Sequence, residues 1–240
     1  LRVAVVGAGI AGLSAAKTLK AAGRQVVIFE KARGVGGRCA TRRVGEYTFD
    51  TGATSIAGEG REIGKAIAAL PQENLVKIDL PVYLHENLRA KPGDQSRQKP
   101  RHSYRHGINT LAKLLAADLD VRTQANIATF SRNGDQFLVE EESFDRMILT
   151  PPIPQTTQLL WGIGESRPFA NVRYRSCLSV LLGYELPLPE TPYFALLDGN
   201  SRHPLLWLSL ESAKSPDRAQ IGRASCRERG ESRVGRESFT

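Results

Sequence analysis

The sequence is poor in cysteine, methionine and tryptophan, and it has no long apolar run. Its 240 residues hold three cysteines, one methionine and two tryptophans. Cys39, Cys177 and Cys226 show neither metal-ligand spacing nor a disulfide framework. No metal is therefore expected, and a reducing cytoplasm is the expected compartment. No run reaches the roughly 18 apolar residues of a membrane span, and no secretory leader pattern is read at the start. Aromatic residues make up only 7%. The four histidines, His85, His102, His106 and His203, lack nucleophile or carboxylate partners at readable spacing. No catalytic acid–base pair is assigned from them, and the catalytic residues stay unknown at this stage.

What is present reads as a globular protein, with 41% hydrophobic and 24% charged residues and a formal net charge of +8. The length suits one large domain or two small ones. Arg89 to His106, "RAKPGDQSRQKPRHSYRH", is polar and strongly basic and reads as a loop. It is either a solvated segment or a means of placing an anionic substrate. Few aromatic rings accompany its charge, so nucleic acid is not an expected partner. Residues 221–240, "IGRASCRERGESRVGRESFT", have no helical or strand period and resemble the translation of a sequencing adapter. Residues 220–240 are expected to be a non-native, disordered tail, with the native chain cut short near Ala219. The strand in "CLSVLLGYEL" would then expose apolar residues for want of later neighbours.

The strongest local pattern lies at the start. "RVAVVGAGIAGLSAAKTLKAAGRQVVIFEK" reads as strand, helix and strand, with the helix from about Ile10 to Ala22 closed by Gly23. Such a unit fits a right-handed βαβ crossover. Gly7, Gly9 and Gly12 form G-x-G-x-x-G between the first strand and the helix. The first glycine permits a tight turn, the second lets a pyrophosphate approach the backbone, and the third lets helix and strand pack closely. The helix N-terminus offers free N–H groups and a positive dipole end. Glu30, about 20 residues further on, is placed to accept hydrogen bonds from a ribose diol. Its charge disfavours a 2′-phosphate, which leaves NAD or FAD. Its side chain is expected to reach the ribose and not the core, so that Glu30→Ala would weaken binding and leave the fold intact.

The next stretch separates the two cofactors. "EKARGVGGRCATRR" sets Gly34, Gly36 and Gly37 beside Arg38. Bare backbone and a planar cationic fork suit a second contact to a diphosphate. FAD needs such a loop and an ordinary NAD domain does not; the alternative is a plain surface loop. Cys39 beside Arg38 is either a small residue near the cofactor or a thiol activated by neighbouring cations. Further on, "GINTLAKLLAADL" has helical spacing, Asn133-Gly134 signals a hairpin, and "RMILT", "SCLSVLLGYEL" and "PLLWLSLES" read as strands. The fold class expected is α/β: a Rossmann-like domain with a βαβ start, interleaved with a sheet-based second domain.

These motifs resemble the flavin amine oxidase superfamily, whose signature couples the dinucleotide fingerprint to a downstream Gly-Gly-Arg. "FDTGAT" at Phe49–Thr54 resembles a segment of its renalase-like branch, as do "YRHGINTLAKLLAADLDVRTQANIATF" and "PLLWLSLESAKSPDR". The resemblance implies an FAD domain at 1–70 and 107–158 and a partial substrate domain at 71–106 and 159–219. It implies oxidation of a small reduced substrate, a reduced nicotinamide compound or an amine, by hydride transfer to flavin with oxygen as acceptor. By resemblance, Gly7, Gly9, Gly12, Glu30, Gly36, Gly37 and Arg38 bind FAD, the Ile127 backbone meets the adenine, and Gly52 and Ala53 lie beside the flavin ring. Thr54 departs from the Gln of the branch. Rival readings are an NAD-binding dehydrogenase and a non-catalytic dinucleotide-binding module. The oligomeric state is open.

Overall fold

The structure, a computed structural model, describes residues 1–45, 47–57, 60–69, 72, 74–86, 89–94, 99–167, 172–174, 176–184, 189–200, 203–215 and 218, and the backbone of 223–229. The chain opens with β1 (Arg2–Val6), α1 (Ile10–Ala21) and β2 (Gln25–Glu30). A hairpin of β3 (Thr41–Val44) and β4 (Tyr47–Asp50) follows. Then come β5 (Ile56–Ala57), α2 (Arg61–Ala68), β6 (Leu75–Ile78), β7 (Val82–Glu86), β8 (Arg89–Pro92) and β9 (Arg101–Tyr104). Helix α3 (Asn109–Ala116) leads to β10 (Asp120–Thr123). The meander β11 (Ser131–Asn133), β12 (Gln136–Val139) and β13 (Glu142–Phe144) leads to β14 (Arg146–Leu149). The order closes with α4 (Ile153–Trp161), β15 (Cys177–Gly183), β16 (Ala195–Asp198), β17 (Leu205–Leu210), α5 (Glu211–Lys214) and β18 (Arg223–Arg229).

The first sheet is parallel, in the order β10-β2-β1-β14. Its central strands β1 and β2 are apolar on both faces because both are covered. Val3, Val5 and Ile28 pack with Leu13 and Ala16 of α1 and Leu111 and Leu115 of α3. Ala4, Val6, Val27 and Phe29 face the other way, toward Phe130, Phe144 and Leu159. The Phe29 and Phe144 rings meet edge to face, 5.8 Å apart. Helix α1 ends where expected: Gly23 takes φ +72° and donates its N–H to the Lys20 carbonyl. The expected hairpin forms between β11 and β12, with Gly134 at φ +60°.

A carboxylate at the sheet's rim ties three strands. Glu142 of β13 accepts hydrogen bonds from Arg122 of β10 and Arg2 of β1. The bonds from Arg122, then Arg2, hold its carboxyl at about 2, below its ordinary 4.5. A carboxylate lowered on folding contributes stability above its unfolded value, which is lost as pH falls through its folded value. Stability is therefore expected to decline from about pH 4.5 toward about pH 2 on this group's account. Denaturation of Glu142→Gln at a series of pH values should show a shallower acid slope; an unchanged slope would remove Glu142 from the account.

The second, six-stranded sheet runs β15-β18-β17-β16-β7-β8, and a smaller one runs β5-β9-β6. Two expectations are corrected here. Arg89–His106, read as loop, contains β8 and β9. β8 is an exposed edge strand ending at Pro92, a position that tolerates proline. β9 is central in its sheet and buries Ser103 and Tyr104. The segment expected to be disordered also carries a strand. The backbone of Arg223–Arg229 pairs antiparallel with β15 on one side and β17 on the other. Ladder hydrogen bonds use main-chain groups common to every residue, so strand pairing does not require an apolar pattern. Residues 230–240 lie outside the described residues. β15 stands at the edge of this sheet and exposes Leu178, Val180 and Leu182.

Candidate functional site

The carboxyl ends of β1, β2 and β14 open on a cavity of about 610 Å³. The volume lies within the range of ligand sites. The position is also the expected one, since ligands of open α/β sheets bind outside the carboxyl strand ends where the strand order reverses. Here β1 is followed by β2 on one side and joined by β14 on the other.

The β1–α1 turn supplies one wall. Gly7 takes φ +100°, and a Cβ there would lie 2.6 Å from Thr150 Oγ1. Gly9 is the N-cap of α1, and a Cβ there would meet nothing within 4 Å. Its free side belongs to the cavity. The first turn of α1 has no acidic residue and no side-chain cap, so its N–H groups remain available to an anion. Gly12 does not line the cavity. A Cβ there would lie 2.0 Å from the Gly7 carbonyl oxygen, so its role is the close contact of helix and turn.

The second glycine loop docks on the first. Gly36 N donates to Ala8 O at 2.8 Å, and Gly9 and Gly36 form a parallel bridge. Gly36 and Gly37 take φ +120° and +54°, conformations that L side chains rarely adopt. A Cβ on Gly37 would sit 3.4 Å from Gly9 Cα. Arg38 follows, exposed and lining the cavity. Gly52 and Ala53, expected by resemblance beside the flavin ring, stand behind Arg38 and are not among the residues that line this cavity. Ala53 N donates to Arg38 O at 2.8 Å, and a Cβ on Gly52 would lie 1.9 Å from that oxygen. The physical reason is the β3–β4 hairpin, which folds residues 51–53 back onto residues 38–40.

Glu30 sits where the fingerprint places it, at the end of β2 and in the cavity wall. The expectation that its side chain avoids the core is corrected. It is only 7% exposed. Its Oε2 accepts from Ala8 N and its Oε1 from Ala32 N, each at 2.8 Å. It therefore braces the β1–α1 turn while keeping lone pairs free toward the cavity. Ile127 buries its side chain in the Phe29 core and borders the cavity. Its segment is laid over β2 by hydrogen bonds from Gln124 N to Ala32 O and from Ala125 N to Glu30 O. Thr54 is buried and does not line the cavity. Cys39 does line it, but burial, then the Asp50 charge, raise its thiol against the smaller lowering by Arg38. The reading as an activated thiolate is thereby corrected: Cys39 is a neutral, half-buried thiol.

One wall was not read from the sequence. Thr150, Pro151, Gln155 and Gln158 border the cavity from the end of β14 and from α4. Thr150 Oγ1 donates to Val6 O at 2.8 Å, joining this wall to β1. The available signal was the strand "RMILT" running into two prolines. The histidines do not line the cavity; His85 and His203 stack edge to face in the second sheet region, 5.0 Å apart. Among the described residues no cluster suited to a metal ion occurs, and no helix is long and apolar enough to cross a membrane. A buried group of four charges, Asp50, Glu211, Lys214 and Arg218, was also missed.

Comparison with known proteins supports the fold. Residues 5–70 match the NAD(P)-binding Rossmann-like domain family. Over 56 residues the chain is 50% identical to a 4,4'-diapophytoene desaturase (4,4'-diaponeurosporene-forming) of Staphylococcus haemolyticus strain JCSC1435. That match covers 23% of this chain and 11% of the desaturase. Among solved structures, reduced UDP-galactopyranose mutase superposes with a TM-score of 0.74 at 11% identity, covering 96% of this chain and 75% of that one. An engineered triple mutant of putrescine oxidase gives 0.72 at 13% identity, with 96% and 75% covered. The chain thus has a Rossmann-like α/β fold with additional sheets, shared with these enzymes.

Proposed function

We propose that this chain is the cofactor-binding part of an FAD-dependent oxidoreductase. The observation that carries the reading is the second glycine loop, Gly36–Gly37–Arg38, docked by its backbone onto the G-x-G turn in the wall of the same cavity. A single adenine dinucleotide turn needs no such partner. Gly9, Gly37 and the α1 N-terminus would receive the diphosphate, Arg38 would pair with its oxygens, and Glu30 would hold the ribose. The Ile127 backbone would border the adenine. Flavin, when bound, supplies hydride acceptance, and the protein supplies position and electrostatics. The matching desaturase and the putrescine oxidase neighbour are consistent with redox chemistry.

In this reading the chain is similar to the renalase-like branch, with a reduced nicotinamide compound or an amine as substrate and oxygen as acceptor, in a cytoplasmic setting. Residues 1–70 and 107–158 form the FAD domain, and 71–106 with 159–219 contribute to the substrate domain. The test is titration of the purified chain with FAD and with NAD, followed by flavin absorbance and fluorescence. Perturbed flavin bands are expected. Saturable NAD binding with no response to FAD would favour an NAD-dependent dehydrogenase instead. Arg38→Ala is expected to weaken FAD binding by roughly 1.5–3 kcal/mol, the range for a hydrogen bond to a charged group, with the melting temperature unchanged. Undiminished affinity would show that Arg38 does not contact the diphosphate.

A further inference from the structure

Behind the Arg38 loop lies a group of four ions that the cavity itself does not use. The side chains of Asp50, Glu211, Lys214 and Arg218 are fully buried. Arg218 Nη1 lies 2.6 Å from Asp50 Oδ2 and 2.6 Å from Glu211 Oε2. Lys214 Nζ lies 2.6 Å from Glu211 Oε1 and 3.5 Å from Asp50 Oδ2. Arg218 Nη2 also donates to Ser103 Oγ at 2.9 Å and to the Tyr104 carbonyl. Burial raises the Asp50 carboxyl, but Lys214, Arg218 and the Ile108 N–H together hold it below its ordinary value. Taking ions out of water often costs as much as their attraction returns. Such a group is a poor source of stability and a good means of fixing geometry.

The geometry it fixes is that of the second phosphate loop. Asp50 Oδ1 accepts from Thr41 Oγ1 at 2.9 Å and from Ile108 N at 2.8 Å. Thr41 and Asp50 are register partners at the open end of the β3–β4 hairpin, away from its turn and next to the Arg38 loop. Immediately beyond them Thr51 N donates to Ala40 O at 3.0 Å and Ala53 N to Arg38 O at 2.8 Å. Gly52 leaves no space for a Cβ against the Arg38 carbonyl. The backbone of Arg38 is thus seated on residues whose register is set at Asp50. Asp50 in turn is held by two cations from beyond β17, in and after α5.

We infer that Asp50 is a positioning residue for anion binding at Arg38, and that Arg218 and Lys214 couple the second sheet region to the cofactor loop through it. This rests on reading Arg38 as a diphosphate contact. The experiment measures affinities for FAD, ADP and adenosine in the 240-residue chain and in Asp50→Asn, Arg38→Ala and the double variant, beside melting without ligand. Asp50→Asn is expected to weaken ADP and FAD binding about tenfold and adenosine binding less than about twofold, since only the anion contact is displaced. The double variant is expected within about threefold of the weaker single, because groups acting through one contact are not additive. Equal losses for adenosine and ADP, or additive losses, would overturn the inference. Should Asp50→Asn melt too low to measure, Thr41→Val, which removes one of the Asp50 hydrogen bonds, carries the same expectations. Wild-type binding of ADP without FAD would overturn the FAD reading alone. Absence of ADP binding would overturn both.

Discussion

Gly12→Ala is expected to cost both the fold and the ligand, whereas Gly9→Ala costs the ligand alone. The Cβ added at Gly12 would lie 2.0 Å from the Gly7 carbonyl oxygen and 3.0 Å from Thr150 Oγ1. The first of these is main chain, so relief requires α1 to move away from the turn. Forced overpacking of this kind costs about 1–3 kcal/mol and sometimes more. The shift would also misplace the α1 N-terminus, so dinucleotide affinity should fall with stability. Gly9 differs in two respects. Its φ of −74° and ψ of 175° suit any residue, and its Cβ would meet nothing within 4 Å. Ligand-free stability should therefore stay within about 0.5 kcal/mol, while the methyl group would occupy the space proposed for the diphosphate. Denaturation and ligand titration on both variants separate the cases. Full affinity in Gly9→Ala would mean that no ligand approaches that backbone.

Glu30→Ala is expected to destabilise the ligand-free protein as well as weaken binding. Removing the carboxylate leaves Ala8 N without its acceptor in a buried site and Ala32 N in a partly buried one. Each orphaned buried donor costs about 1–3 kcal/mol, less where water reaches it. Glu30→Gln should be milder in stability, because its carbonyl keeps one bond while its amide faces a donor. For a ribose diol the same change removes half of the acceptor set, so affinity should drop in both variants. Chemical denaturation without ligand decides the matter. Unchanged stability in Glu30→Ala would show that water replaces the carboxylate at both N–H groups.

The motif at the start of the chain was legible because its parts are local. Apolar runs, a helix closed by Gly23 and glycines at fixed offsets each depend on neighbours a few residues away. The Asn133-Gly134 hairpin was legible for the same reason. The basic stretch Arg89–His106 was misread because β9 owes its burial to β5 and β6, not to an alternation of its own. The disorder expected at residues 223–229 was overturned in the same way, since the strand Arg223–Arg229 exists by pairing with β15 and β17. Gly52 and Ala53 were associated with the site, but their contact with the Arg38 carbonyl depends on a hairpin register that the residues alone do not state.

Sequence by itself determined the βαβ unit, the anion-ready helix start, the acceptor at Glu30 and the presence of a second glycine-and-arginine loop. Tertiary structure alone decided how these parts are used. It brought Thr150 and α4 to the far wall of the cavity through the parallel pairing of β1 with β14. It committed two of the Glu30 lone pairs to backbone N–H groups. It also joined Asp50 to Lys214 and Arg218 across more than 160 residues. The physical reason is range. Propensity, capping and glycine geometry act within a few residues, but a buried ion pair or a shared cavity wall exists only once distant elements have packed and excluded water.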